Sequence, residues 1–281
     1  MQVLRTVAEL RLWSRLEKRR YDHTIGLVPT MGALHAGHAS LIRAGRASVD
    51  RVAVSIFVNP TQFGPHEDFD RYPRSFEADC ALVQSEGAHI VFAPTVEEMY
   101  SSGASTFVEV EGLSRRLDGA SRPGHFRGVA TVVAKLLIAA EPDRAFFGQK
   151  DAAQVAVLRR MVEDLRLPTE IVVCPIVREA DGLALSSRNV YLRPAERMQA
   201  LTLSKAIRQA EALFVAGERH PDVLLTSARR IFAAEPAIRV HYIELVDWTT
   251  LEPMEVAAPG GLFAVAASVG PTRLIDNTIL A

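Results

Sequence analysis

Along the first two thirds of the chain, short apolar runs alternate with stretches whose apolar residues recur every three or four positions. The short runs predict strands at 24–29, 52–58, 89–92, 145–147 and 170–174. The helical spacing predicts helices at 39–48, 76–85, 129–140 and 153–165. Strands that alternate with helices imply a parallel sheet with helices on both faces, and such sheets bind ligands at the carboxyl ends of their strands.

The last third has another texture. Helical patterns at 194–216 and 221–234 are followed by the strand-like runs "VHYIELVD", "GLFAVAASVG" and "TRLIDNTIL". Helices followed by strands, without regular alternation, predict an α+β unit. The fold class expected is therefore α/β: a Rossmann-like, doubly wound parallel sheet over residues 1–176, then a smaller α+β C-terminal domain over 177–281, with the boundary within 177–187. Residues 59–74, "NPTQFGPHEDFDRYPR", form a long, polar, proline-rich connection of the kind that often serves as a lid.

Composition narrows the reading. At roughly 150 residues per domain, 281 residues suit about two domains. Hydrophobic residues make up 48%, enough for a packed core, and the net charge is −1. That balance argues against non-specific nucleic-acid or anionic-membrane binding, so any anion site must be local. No run approaches the ~18 apolar residues that span a bilayer. The N-terminal "MQVLRTVAELRLWSRLEKRR" has helical spacing and no signal-peptide pattern. Cys80 and Cys174 have no metal-ligand spacing and suit a reducing compartment, so a cytoplasmic protein is expected.

The residues that carry chemistry lie just after the strands. The first strand leads into "VPTMGALHAGHASL", where Pro29 and Gly32 suit a turn and His35 and His38 stand at the entrance of a helix. Unpaired backbone N–H groups and the helix dipole favour an anion there, and Gly37 leaves room for a phosphate to approach. Two imidazoles add donors for charge developing on phosphate. Asn59 and Gln62 come after the second strand, and an amide side chain can both donate and accept. "GQKD" comes after the strand at 145–147: Gly148 allows close approach, Lys150 supplies positive charge, and Asp151 stands where it could cap the next helix. Ser186, Ser187 and Arg188 form a polar turn with hydroxyls and a planar cation suited to phosphate oxygens. Arg122, His125 and Arg127 could serve an anionic substrate or a salt-bridged surface. Glu67, Asp68 and Asp70 read as a solvated loop face, with magnesium held through water as the alternative.

"PTMGALHAGH" resembles the H-x-G-H signature of class I nucleotidyltransferases, which act on the α-phosphate of ATP. More narrowly, it resembles the pantoate–β-alanine ligase family. "FVNPTQF", "RYPR", "GHFRGVATVVAKL", "FGQKDAAQ" and "DGLALSSRNVYL" occur in the family's order across residues 28–192. The resemblance implies ATP contacts by Pro29, Met31, Gly32, Ala33, Leu34, His35, Ala36, Gly37 and His38, by Gly148, Gln149, Lys150 and Asp151, and by Val177, Leu185, Ser186, Ser187 and Arg188. It implies a pantoate and β-alanine site at Asn59, Gln62 and Gln154, with His38, His35, Lys150 and Arg188 as the catalytic group. Metal ligands are not indicated. Gln149 and Ala153 depart from the family, which usually has glutamate and often glutamine there. Gln149 thereby removes a charge expected beside the nucleotide.

The implied reaction has two steps. Pantoate attacks the α-phosphate of Mg2+–ATP, and the amine of β-alanine then takes the acyl group from pantoyl adenylate. Pantothenate, AMP and pyrophosphate are the products. His38 is the expected hydrogen-bond or proton donor to the departing phosphate, with an imidazole near its ordinary pKa. The family also implies a homodimer. Rival readings are a nucleotidyltransferase that joins ATP to a phosphorylated metabolite, a tRNA-charging enzyme, and a catalytically silent nucleotide sensor. Gln62 and Gln154 favour a small carboxylic substrate over the first, and the absence of a basic stripe disfavours the second. The intact His35, His38, Lys150 and Ser186–Arg188 set weigh against the third.

Overall fold

The computed structural model describes residues 1–65 and 67–281. In chain order its regular elements are β1 (Gln2–Leu4), α1 (Val7–Tyr21), β2 (Ile25–Thr30), α2 (Ala36–Arg46), β3 (Arg51–Ile56), α3 (Phe76–Ser85), β4 (Ile90–Phe92), α4 (Val96–Met99), α5 (Asp118–Ser121) and α6 (His125–Ala140). They continue with β5 (Arg144–Gly148), α7 (Ala152–Asp164), β6 (Glu170–Cys174), α8 (Pro194–Val215), α9 (Pro221–Ala233), β7 (Ile238–Asp247), β8 (Gly261–Val269) and β9 (Thr272–Ile279). Short 3-10 turns cover Pro60–Gln62, Leu113–Arg115, Gln149–Asp151 and Ser187–Tyr191.

Strands β1 to β6 form one parallel sheet in the order β1-β4-β3-β2-β5-β6. The period-2 rule divides its side chains between two cores. Leu27, Ala53, Phe92 and Phe147 pack with α1, α6 and α7 on one face. Val28, Val54, Val91 and Phe146 pack with α2 and α3 on the other. Strands buried on both faces read as continuous apolar runs, and that is why these were visible in the sequence.

The N-terminal helical pattern needs one correction. Gln2–Leu4 are an edge strand paired with β4, and the helix begins only at Val7. Thr6 accepts from Glu9 N while the Glu9 side chain reaches back to Thr6 N, a reciprocal cap that sets the start. The helix expected from residue 129 begins at His125, so His125 and Arg127 lie on α6 rather than before it.

β7, β8 and β9 form an antiparallel sheet. On β8, Phe263 and Val265 pack against α8 and α9, whereas Leu262 and Ala264 join the core of the parallel sheet. The α7 element is tied to this region by the Trp248 indole, which donates to Ala152 O at 3.0 Å. No helix among the described residues is long and apolar enough to cross a membrane.

The order of the parallel sheet reverses between β2 and β5, so the loops that leave their carboxyl ends diverge and open a crevice. The histidine turn leaves β2 and the "GQKD" turn leaves β5.

Candidate active site

A cleft of about 230 Å3 opens at that reversal. Its walls include Pro29, Met31, His35, Gly37 and His38 after β2, and Asn59 and Gln62 after β3. Gly148, Lys150, Asp151 and Gln154 contribute from the β5–α7 junction, and Val177, Leu185, Ser186, Ser187 and Arg188 from the 175–191 segment. Leu185 N donates to Val177 O at 3.0 Å, which holds the two ends of that last stretch together.

The histidine turn is built differently from the open anion cradle its sequence suggested. His35 is the N-cap of α2, and its Nδ1 accepts from Gly37 N at 3.1 Å. His38, in the first turn, accepts from His35 N through Nδ1 at 3.3 Å. The imidazoles themselves therefore take up two of the amides that a phosphate was expected to meet, His35 N and Gly37 N. Gly37 makes room for the His35 ring, because a Cβ there would lie 2.9 Å from ring atoms. With both Nδ1 atoms accepting, each neutral ring carries its proton on Nε2. The ring centroids are 4.1 Å apart.

Burial, then the positive charge of Lys150, lowers His35 to about 4. Burial, then neighbouring His35 and Lys150, lowers His38 to about 3. Both are neutral at pH 7. This corrects the expectation of an imidazole near its ordinary pKa: His38 offers the cleft a neutral N–H group.

Five residues expected to touch the nucleotide frame the cleft without lining it: Gly32, Ala33, Leu34, Ala36 and Gln149. Gly32 takes a left-handed φ of +84° that only glycine adopts cheaply. The Ala33 and Leu34 amides donate to the buried carboxylate of Asp79, at 2.9 and 2.8 Å. Ala36 is exposed at the first position of α2. The Gln149 amide turns away to Asn277 on β9, at 3.2 Å. Ala153 is buried in the core.

Gln62 is held by its neighbours. Asn59 Nδ2 donates to Gln62 Oε1 at 3.0 Å and to Gly128 O at 3.1 Å, and Asn59 Oδ1 accepts from Tyr100 Oη at 2.8 Å. Gln62 Nε2 faces only the weak acceptor Met31 Sδ, at 2.9 Å, which leaves its donors for a ligand. Gln62 thus presents its amide N–H groups to the cleft, while its oxygen already accepts from Asn59. Asp151 makes no side-chain cap to α7, although it occupies the N-cap position. Its carboxylate lies 4.0 Å from Lys150 Nζ.

Two polar loops close the mouth against one another. Arg188 donates to both oxygens of Asp68, at 2.9 and 2.8 Å, and Tyr72 Oη meets Ser187 Oγ at 3.2 Å. Tyr191 Oη donates to Arg71 O at 2.9 Å. Arg122 pairs with Glu67 at 2.6 Å. Glu67 and Asp68 are thus bound by arginines, not a solvated face, and Arg188 enters the cleft with a carboxylate already attached. Residue 66 of the 59–74 segment lies outside the described residues. No cluster of three His, Cys, Asp or Glu side chains suited to a metal ion occurs among the described residues.

Sequence reasoning missed Tyr72 and Asp79 as builders of the site, and the apolar wall formed by Val129, Val132 and Val133 of α6. It left His125 undecided between substrate and surface. His125 lines the cleft, its Nδ1 is 2.8 Å from Gln62 O, and burial, then Arg122, lowers it to about 4.

A parallel sheet whose switch point gathers paired imidazoles, a lysine, amide side chains and a serine–serine–arginine turn defines an α/β enzyme that works on a nucleotide and a small polar substrate. The family model described as Pantoate-beta-alanine ligase matches residues 2–279. The chain belongs to that family, and its reaction is the condensation of pantoate with β-alanine. The pantothenate synthetase of Acidobacterium capsulatum is 59% identical, over 100% of this chain and 97% of its own length. The crystal structure of pantothenate synthetase from Thermus thermophilus is 46% identical, with a TM-score of 0.95 and coverage of 100% of this chain and 99% of that one. A Francisella tularensis pantoate-beta-alanine ligase, described as complexed with beta-gamma ATP and beta-alanine, is 31% identical with a TM-score of 0.81, covering 99% of this chain and 97% of that one.

Proposed function

We propose that the enzyme drives this condensation with ATP through pantoyl adenylate, using the cleft at the sheet reversal. The pantoate carboxylate attacks the α-phosphate, the bond from that phosphorus to the bridging oxygen breaks, and pyrophosphate leaves. The amine of β-alanine then attacks the acyl carbon and expels AMP. The substrates supply both nucleophiles, so the protein's task is alignment and charge stabilisation. Pro29, Met31, Gly37, Gly148, Val177 and Leu185 would hold the nucleoside and α-phosphate. Lys150, Ser186, Ser187 and Arg188 would meet the β- and γ-phosphates. The Nε2–H groups of His35 and His38 donate to the phosphate oxygens that gain charge in the transition state.

Gln62 and Gln154 suit the carboxylate and hydroxyls of pantoate, and Val129, Val132 and Val133 suit its two methyl groups. Arg122 beside Gln62 suits the carboxylate of β-alanine. The Asp68–Arg188 and Tyr72–Ser187 contacts exclude water from an acyl phosphate prone to hydrolysis. Magnesium would arrive with ATP as part of the substrate, since Glu67 and Asp68 are neutralised by arginines. ATP as co-substrate and two unbridged cysteines favour the cytoplasm. A homodimer, favoured by the family resemblance, would be checked by sedimentation.

One observation carries this reading: a single cleft unites His35, His38, Gln62, Lys150, Gln154 and Ser186–Arg188 from segments scattered through the sequence. Its test is to mix ATP, magnesium, D-pantoate and β-alanine and measure pantothenate. Omitting pantoate must abolish pyrophosphate release, whereas omitting β-alanine must still allow a single turnover to the adenylate. Release of pyrophosphate without pantoate would reject the order of steps.

A further inference from the structure

A second cavity, of about 440 Å3, lies beyond the closed loops and is lined by Arg71, Arg239, His241, Ser268, Thr272 and Arg273, with the Glu67–Arg122 and Asp68–Arg188 pairs at its inner side. A narrow cavity of about 60 Å3 links it to the cleft by shared walls. Lys150 and Arg188 border both the cleft and this neck, and Arg188 and Arg273 border both the neck and the larger cavity.

The charge of the larger cavity is not balanced from within. Among the described residues, Arg122, Arg188 and Arg273 have carboxylate partners, but Arg71 and Arg239 have none. Arg71 and Arg239 are both exposed, so their guanidinium groups are open to a ligand. Guanidinium groups without carboxylate partners, gathered at one cavity, suit an acceptor-rich anion. His241, joined to Ser268 Oγ at 2.7 Å, adds a neutral polar edge.

We infer that this cavity binds a small polyphosphate anion, and that the reaction supplies it as the departing pyrophosphate. The proposal rests on the reading that ATP is cleaved in the main cleft. With nucleoside and acyl group held at the sheet reversal, pyrophosphate is released beside Lys150 and Arg188. The neck, whose walls also carry Asp151 beside Lys150 and Asp118 paired with Arg273, leads from those two cations to Arg273 and on to Arg71 and Arg239. The anion moves between positive groups without crossing the adenylate, which stays sealed behind the loops for β-alanine.

The test uses magnesium pyrophosphate and the full-length enzyme. Calorimetric titration is made with and without saturating ATP, in the absence of pantoate so that no turnover occurs. The expected result is pyrophosphate binding that persists when ATP fills the cleft. Arg71→Ala/Arg239→Ala and, separately, the charge-removing Arg71→Gln/Arg239→Gln should weaken this ATP-insensitive binding, the alanine pair by roughly tenfold or more. Initial rates of pantothenate formation, with pyrophosphatase present, should stay at the wild-type value in all variants, which also confirms that they fold. Pyrophosphate binding that ATP abolishes in the wild type would overturn the proposal, as would unchanged binding in both variants. If inorganic triphosphate binds the ATP-saturated enzyme and pyrophosphate does not, the cavity serves another phosphorylated ligand and the exit assignment falls. A wild-type enzyme that makes pantothenate yet shows no ATP-insensitive site refutes this inference alone. One that makes none refutes the reading beneath it.

Discussion

At the scale of single residues, the two imidazoles have a structural task and, in the proposed reaction, a chemical one on the same ring. Their Nδ1 atoms cap α2 and their Nε2–H groups remain for substrate. His38→Ala should therefore slow adenylate formation by ~10²-fold or more, read by rapid quench, with circular dichroism showing that the fold persists. Normal adenylate formation would remove His38 from its role. Because His35 and His38 are lowered to about 4 and about 3, kcat/KM for ATP should show no limb near pH 6.5 from either ring. The same displacement has a stability consequence. Between those values and the ordinary 6.5, the unfolded chain binds more protons than the folded one, so stability must fall as pH drops through that window. Urea midpoints at pH 7 and pH 5 should fall in that order, and less steeply in His38→Ala. The histidine and "GQKD" turns were legible because each follows a strand, whereas Ser186–Arg188 lies well beyond β6 and was legible from its residue types and motif. Their partners were not: Asp79 acts on amides 46 and 45 positions away, and nothing local marks it.

Among elements, the decisive contact is between α6 and the 3-10 turn Pro60–Gln62. A Cβ on Gly128 would lie 2.3 Å from Thr61 O and 2.7 Å from Gln62 Cα, so only glycine lets the helix approach the turn. Gly128→Ala must push this turn away, costing about 1–3 kcal/mol and raising KM for pantoate more than KM for ATP. Steady-state kinetics and a thermal melt would show both, and an unchanged KM for pantoate would separate the turn from substrate binding. The strands and long helices of the parallel sheet were readable from periodicity, since buried strands are apolar throughout and helices keep one stripe. β1 was not, because three residues hold too little pattern and were absorbed into the neighbouring helix. The register of loop against loop was equally hidden: Asp68 and Arg188 are 120 residues apart, and Asp68 alone reads as a surface charge and Arg188 as a phosphate ligand.

For the molecule as a whole, the C-terminal sheet supports the cleft from outside. Arg178 donates to both oxygens of buried Asp276 on β9, at 2.7 and 2.8 Å, and this fixes the segment that ends in the serine–serine–arginine turn. Asp276→Asn should cost roughly 2–3 kcal/mol in urea unfolding and should loosen ATP binding, although Asp276 lies off the cleft wall. Wild-type ATP affinity in that variant would uncouple β9 from the turn. Next along the strand, the Asn277 amide donates to the carbonyls of Gln149 and Lys150, at 3.1 and 2.9 Å. The peptide units that set the height of the lysine are thus stitched to a strand 127 residues downstream. A chimera that grafts a relative's tail onto this chain must bring an equivalent carboxamide, or Lys150 will ride on a slack floor.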